Sequence, residues 1–408
     1  MISGVALILL GFAQGLAFGQ TQVSVSAPAA LESPGAAAHS VSPNFDSKTE
    51  VMNNFRGGNQ SRTDFLGNVI FGVGLDFERL VGLRGSSALF QGAAVYGTQP
   101  SEAIGDIQGA SSLAGPRAFK LYQAWLQQNL FADRLSLLVG LHDLGKEFGV
   151  TDTSDPFVNG AYGTGTELSR SGKYGPSLFP TTSLAARIRV SPLETVQISA
   201  AVYDGIPGDP EHTEGTHIVF GPEDGVFGVT EIAFQPTINA LSGKYAIGAW
   251  GYSRAADDLS ATDERDLTLQ SKSLGTYFLI DQRLYARDPS LPQGLSSFFR
   301  VGWATANTNS IEYAAQLGLV YTGLLAARPD DQLGIGTAVA RAGSHYREAA
   351  QAKGQEMNLY EASFELLYRA RVFSWLRITP DLQWIKSPAM NPRLADAVVG
   401  ATRMEVAF

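Results

Sequence analysis

The stretch Arg403 to Phe408, RMEVAF, alternates without a break: Met404, Val406 and Phe408 are apolar, and Arg403, Glu405 and Ala407 stand between them. Successive side chains of a β-strand point to opposite faces, so this stretch presents one apolar face and one polar face. In a soluble sheet such a strand ordinarily runs out into a few solvated residues. In a closed barrel within a bilayer the last strand pairs with the first. One face then meets lipid, the other an aqueous lumen, and alternation continues to the final residue. Six residues do not choose between the two settings, so the pattern has to be followed through the rest of the chain.

It recurs almost everywhere. Val69, Phe71, Val73, Leu75 and Phe77 alternate with Ile70, Gly72, Gly74, Asp76 and Glu78. The same script runs through Leu135-Leu137-Val139-Leu141, Val196-Ile198-Ala200-Val202 and Tyr360-Ala362-Phe364-Leu366-Tyr368-Ala370-Val372, the last opposed by Glu361, Ser363, Glu365, Arg369 and Arg371. Roughly fifteen such segments have the length a tilted strand needs to cross a bilayer. Alternation is poor around Lys120 to Gln128. Short turns rich in Pro, Asp and Ser, such as 190–194 and 328–331, alternate with long connections such as 143–180 and 204–226. That is the plan of an outer-membrane barrel, whereas a propeller would repeat at a fixed period.

Composition agrees. The 408 residues include 44 Gly, 22 Phe, 14 Tyr and no Cys, which suits many strands and tight turns held by a hydrogen-bonded ring rather than by disulfides. After the first residues no uncharged apolar run reaches the roughly 18 residues of a membrane-spanning helix. Val5 to Phe18 is uncharged and apolar and leads into Ala17-Phe18-Gly19, so a secretory signal cut after Gly19 is expected, although Met1 to Gly4 carries no Lys or Arg. Residues 20–60, rich in Ala, Ser, Pro and Asn, read as a flexible periplasmic leader, and the barrel is expected over 61–408. The net charge of −9, with Lys and Arg spread along the chain, argues against a nucleic-acid partner.

Enzyme chemistry has little to stand on. There is no HExxH, GxSxG or P-loop and no Cys nucleophile, and His39, His142, His212, His217 and His345 are scattered, so neither catalysis nor a cofactor or metal is expected. Gly334-Ile335-Gly336 and Gly72-Val73-Gly74 are fragments of nucleotide loops that sit inside strands, where Gly more simply makes room. The informative charges are those at alternating strand positions. An Arg on the lipid face near the midplane costs about 2–4 kcal/mol, so Arg187, Arg189, Arg300, Arg369, Arg371 and Arg403 are expected to point inward. Glu405, Asp76, Glu78, Glu361 and Glu365 stand on matching faces, which gives a pore lined by both signs of charge. Arg377 and Asp381 belong to the same faces. Each could equally serve as a mutual ion pair stiffening the wall.

Several blocks resemble the carbohydrate-selective porins of the OprB type: Leu121 to Gly165, Gly175 to Val190, Ala200 to Pro210, Gly318 to Arg341, Ile378 to Pro388 and the closing VVGATRMEVAF, in order over most of the chain after about residue 65. Family members often carry a Trp-Gly-Gly block before the first strand, where this chain has only Asn53 to Asn59, NNFRGGN. The resemblance implies an all-β transmembrane antiparallel barrel of about 16 strands in the outer membrane of a Gram-negative bacterium. Sugars would diffuse passively through it. Arg187 and Arg189 match the family's basic wall pattern. The segment between His142 and Pro180 is the expected constriction loop, carrying Lys146, Glu147, Phe148, Asp152, Phe157 and Tyr162. Phe408 looks like the terminal aromatic read by the outer-membrane assembly machinery. Implied partners are monosaccharides or small oligosaccharides and outer-membrane lipid, with the barrel a monomer or a homotrimer. Two alternatives stay open on the residues alone: a general or anion-preferring porin, and a secreted soluble glycan-binding β-protein.

Overall fold

In the computed structural model, residues 40–219, 221, 224–260 and 270–408 are described. The expected signal peptide, and the expected leader as far as residue 39, lie outside them. The chain runs as strands β1 (Val41–Arg56), β2 (Arg62–Asp76), β3 (Ser86–Gly97), β4 (Ala118–Leu130), β5 (Leu135–His142), β6 (Ser183–Leu193), β7 (Val196–Asp204) and β8 (Val226–Phe234). A two-residue β9 (Thr237–Ile238) follows. The remainder is β10 (Leu241–Asp257), β11 (Gln270–Ala286), β12 (Gly294–Ala304), β13 (Ile311–Thr322), β14 (Gln332–Ala342), β15 (Tyr360–Phe373), β16 (Leu376–Lys386) and β17 (Ala397–Ala407).

Leaving β9 aside, sixteen strands pair antiparallel with their neighbours in sequence, β8 meeting β10, and β17 pairs with β1 to close the ring. Closure pairs the wall's N–H and C=O groups between strands, apart from register breaks such as those between Gly251 and Ala255 and between Val190 and Leu193, and leaves no edge exposed to lipid. No helix among the described residues is long and apolar enough to cross a membrane. Alternation sorts their side chains. Ile188, Ile335, Leu366 and Leu382 stand exposed on the outer face, while Arg187, Arg300, Glu365 and Gln383 are buried inside.

Two sequence expectations change. Residues 41–56 belong to the wall rather than to a leader: β1 pairs with β2 from Val41↔Leu75 to Asn54↔Arg62 and with β17 from Asp46↔Ala407 to Arg56↔Val398. Its Pro, Ser and Asn residues make it a poor isolated strand, and two waiting edges hold it extended. The NNFRGGN stretch is the end of β1 and its turn, with Gly57 and Gly58 both at positive φ (74° and 63°). The broken alternation of Lys120 to Gln128 is a β-bulge: the register slips between Gln91↔Gln123 and Gly92↔Leu121, so Tyr122 and Gln123 are consecutive and both face inward.

Short connections gather at one end of the barrel, such as the two residues between β15 and β16, and the long ones at the other. Two long loops, 98–117 after β3 and 143–182 after β5, turn inward. Their apolar residues Ile104, Leu144, Phe148, Phe157, Val158 and Leu168 are buried against the inner wall.

Candidate functional site

A loop inside a barrel brings backbone polar groups away from bulk water, and each needs a partner. The 143–182 loop finds them in wall carboxylates. Glu231 on β8 accepts from Gly149 N–H (2.9 Å) and Asp281 on β11 from Thr153 N–H (2.8 Å). Glu365 on β15 accepts from Val158 N–H (2.6 Å) and Asn159 N–H (3.1 Å). The other inward loop is held alike: Glu361 accepts from Ile107 N–H (2.9 Å) and Gln108 N–H (3.0 Å). The loops also bond to each other, Gly160 N–H to Gly109 O (2.7 Å) and Ser112 N–H to Val158 O (2.8 Å).

Packing completes the attachment. The Phe157 and Tyr162 rings meet Phe298 of β12 edge to face, centroids 5.4 and 5.8 Å away. Gly336 makes room for them, since a Cβ there would come within 2.7 Å of the Phe157 ring. Phe148 is fully buried in a cluster with Tyr203, Phe227, Trp250 and Tyr277. Arg300 donates its Nη atoms to both oxygens of Glu167 (3.1 and 2.7 Å) and Nε to Gly149 O (3.1 Å). Neither Arg300 nor Glu167 is more than 1% exposed at its side chain.

Most of the inward charges are therefore anchors beneath the loops. Arg300, Arg403, Glu361 and Glu365 all face inward, as alternation requires, but loop residues cover them, so they do not line a passage. Asp76 and Glu78 stand at the rim, where β2 ends. Asp76 ends β2 and caps the short helix α1 (Phe77–Val81), pairing with Arg79 (3.2 Å), and Glu78 lies within that helix because the alternation stops one residue earlier. Arg371 is a rim residue at the short-turn end, 3.3 Å from Asp330.

The remaining inward charges form a strip in which Lys48, Lys146, Asp155, Arg189 and Arg377 reach the surface, with Arg187, Glu147, Arg369 and Glu405 largely buried behind them. On the loop side, Glu147 is held by Arg187 (3.0 Å) and lies near Arg189 (3.9 Å), beside exposed Lys146. Ile188, between the two Arg, is exposed on the outer face. Across from them Lys48 and Arg377 lie 3.9 and 3.8 Å from Glu405, and Arg369 pairs with Asp155 (2.6 Å), whose side chain is 62% exposed. Asp46, partly buried on β1, lies within electrostatic reach of Lys48, Glu405, Lys146 and Asp155. Asp152 is exposed in the same loop.

Sequence reasoning missed Asp46, Lys48 and Glu50, because they lie in the stretch read as a leader. It also missed the 98–117 loop, Glu231 and Lys244 of β10, which pairs with Glu231 (3.3 Å). Strand alternation in β8 and β10 was the available signal for the last two. Among the described residues no group of three or more His, Cys, Asp or Glu is arranged to hold a metal ion.

Known proteins fit this architecture. A family model described as carbohydrate-selective porin, OprB family, matches residues 63–408. Porin B of Pseudomonas aeruginosa is 24% identical over 370 residues, covering 83% of this chain and 80% of that protein. The high-pH structure of Pseudomonas putida OprB superposes with a TM-score of 0.81 at 22% identity, over 90% of this chain and 94% of that one. The low-pH structure of the same porin gives 0.58 at 18% identity, over 90% and 93%.

Proposed function

The chain belongs to the carbohydrate-selective porin family of the OprB type and is an outer-membrane sugar channel, and from that premise we propose that sugars cross along the strip running from Lys146, Glu147, Arg187 and Arg189 to Asp46, Lys48, Asp155, Arg369, Arg377 and Glu405. A sugar ring offers hydroxyls at its rim. Arg supplies several donors in a planar fork, and a carboxylate beside it supplies acceptors and holds the fork in place. Binding along the strip stays weak, because a tight site would trap the solute instead of passing it.

The observation that carries this reading is pairing. Arg187 and Arg189 face Glu147, Arg369 faces Asp155, and Lys48 and Arg377 face Glu405. Each of these cations has a carboxylate within 3.9 Å, so donors and acceptors stand side by side as a polyhydroxyl solute needs, and the partial compensation of five cations by three carboxylates leaves only a modest positive field. Planar-bilayer conductance of the purified protein with a panel of sugars tests it. Current block by a sugar at millimolar concentration and a weak reversal potential in a salt gradient are expected. Strong chloride preference without sugar block would mean that the same Arg residues select anions.

A further inference from the structure

Glu365 and Arg403 are 2% and 3% exposed, and no solute in the passage can touch either. Yet together they hold both backbone groups of one loop residue. Glu365 accepts from Val158 N–H (2.6 Å), and Arg403 donates from Nη2 to Val158 O (3.2 Å). Arg403 is itself fixed by Glu50 (Nε to Oε2, 2.8 Å), and its Nη2 also reaches Ser112 Oγ (3.1 Å) in the other inward loop. Between them on β16, Gln383 accepts from Asn159 Nδ2 (3.1 Å) and donates to Ala110 O (2.9 Å). Three adjacent strands thus grip both loops where the loops are bonded to each other.

We propose that Glu365 and Arg403 are positioning residues for the constriction: from behind the loops they set how far the loops reach into the lumen, and so the largest sugar that passes. The link to the passage is short. Val158 ends the run Asp155-Pro156-Phe157-Val158, in which Asp155 faces the passage and pairs with Arg369. Pro156 has a fixed φ, and the Phe157 ring is wedged against Tyr162 and Phe298, so the run has little slack to absorb a shift at Val158. A displacement there carries through to Asp155. Because the loops share hydrogen bonds, they move as one body.

The proposal rests on the sugar-channel reading, and liposome swelling separates the two. Rates are measured for a monosaccharide, a disaccharide and a trisaccharide, with heat-modifiable mobility giving the amount of assembled barrel. Glu365→Ala and Arg403→Ala are expected to raise the disaccharide-to-monosaccharide rate ratio several-fold at an unchanged amount of assembled protein. Glu365→Gln keeps one acceptor oxygen for Val158 but turns an amide toward Asn159 N–H, so it falls between wild type and alanine, as does Arg403→Lys. A purely structural role would lower the assembled amount and leave the ratio per channel unmoved. Should the alanine variants fail to assemble, the ratio in Glu365→Gln and Arg403→Lys decides in the same way. A ratio equal to wild type in assembled variants overturns the proposal. Absence of monosaccharide swelling in the wild type would instead overturn the sugar-channel reading.

Discussion

Ile188 stands between Arg187 and Arg189, and the three residues state the logic of the wall. Arg187 is buried against Glu147, Ser136 and Gln127, whereas Ile188 is 44% exposed on the outer face. A one-residue slip would turn both guanidinium groups toward hydrocarbon. Replacing Ile188 with Arg is expected to lower barrel stability by about 2–4 kcal/mol if the site lies near the midplane, read as a lower urea midpoint. The chain has no Cys, so a single introduced thiol reports its own surroundings. A water-soluble reagent should label Arg189→Cys and spare Ile188→Cys; the reverse pattern would refute the register. A second single-residue test lies at Arg300. Its replacement by Ala leaves Glu167 buried and unpaired, a situation that costs about 3–5 kcal/mol. The expected result is a barrel that still assembles but carries a loop open to protease between residues 149 and 167.

The loop after β5 is an element whose position depends on a few backbone details. Gly165 sits at φ +84°, and a Cβ there would lie 1.6 Å from Arg300 Nη1. Gly165→Ala therefore strains the backbone by about 1–2 kcal/mol and forces the guanidinium off Glu167. Noisier single-channel current at unchanged assembly is the expected readout, and a quiet, wild-type trace would show that the loop tolerates the move. Removing residues 150–173 should give a wider pore with higher conductance and weaker sugar block; unchanged values in an assembled mutant would put the constriction elsewhere. At the seam, Phe408 exchanges backbone hydrogen bonds with Phe45 (2.9 and 3.3 Å) and stacks on Trp375 at 5.9 Å. The ring lies on the outer side of the closure, away from the strip of charges. Replacing it with a charged residue is therefore expected to reduce the amount of assembled barrel far more than the conductance of those that form. Normal assembly with altered conductance would contradict this.

At the scale of the whole molecule, closure decides what local pattern leaves ambiguous. The alternation in β2, β5, β7, β15 and β17 is legible residue by residue, because period two is a property of the strand itself. β1 is not legible in this way. Ser47, Thr49 and Asn53 interrupt its apolar positions, and only the edges of β2 and β17 make it a strand. The bulge at Tyr122 and Gln123 shows as lost alternation, but its sense depends on the register with β3. The amino-acid sequence by itself determined the membrane-spanning barrel, the family and which face of each clear strand meets lipid, since lipid tolerates no inward charge turned outward. Only the tertiary structure decided which inward charges face the passage and which anchor a loop. Glu365 and Glu405 read alike along their strands, yet one is covered by Val158, 207 residues away, and the other meets Lys48 and Arg377 beside the water of the lumen. That difference lies in where a distant loop comes to rest, and no pattern local to a strand carries it.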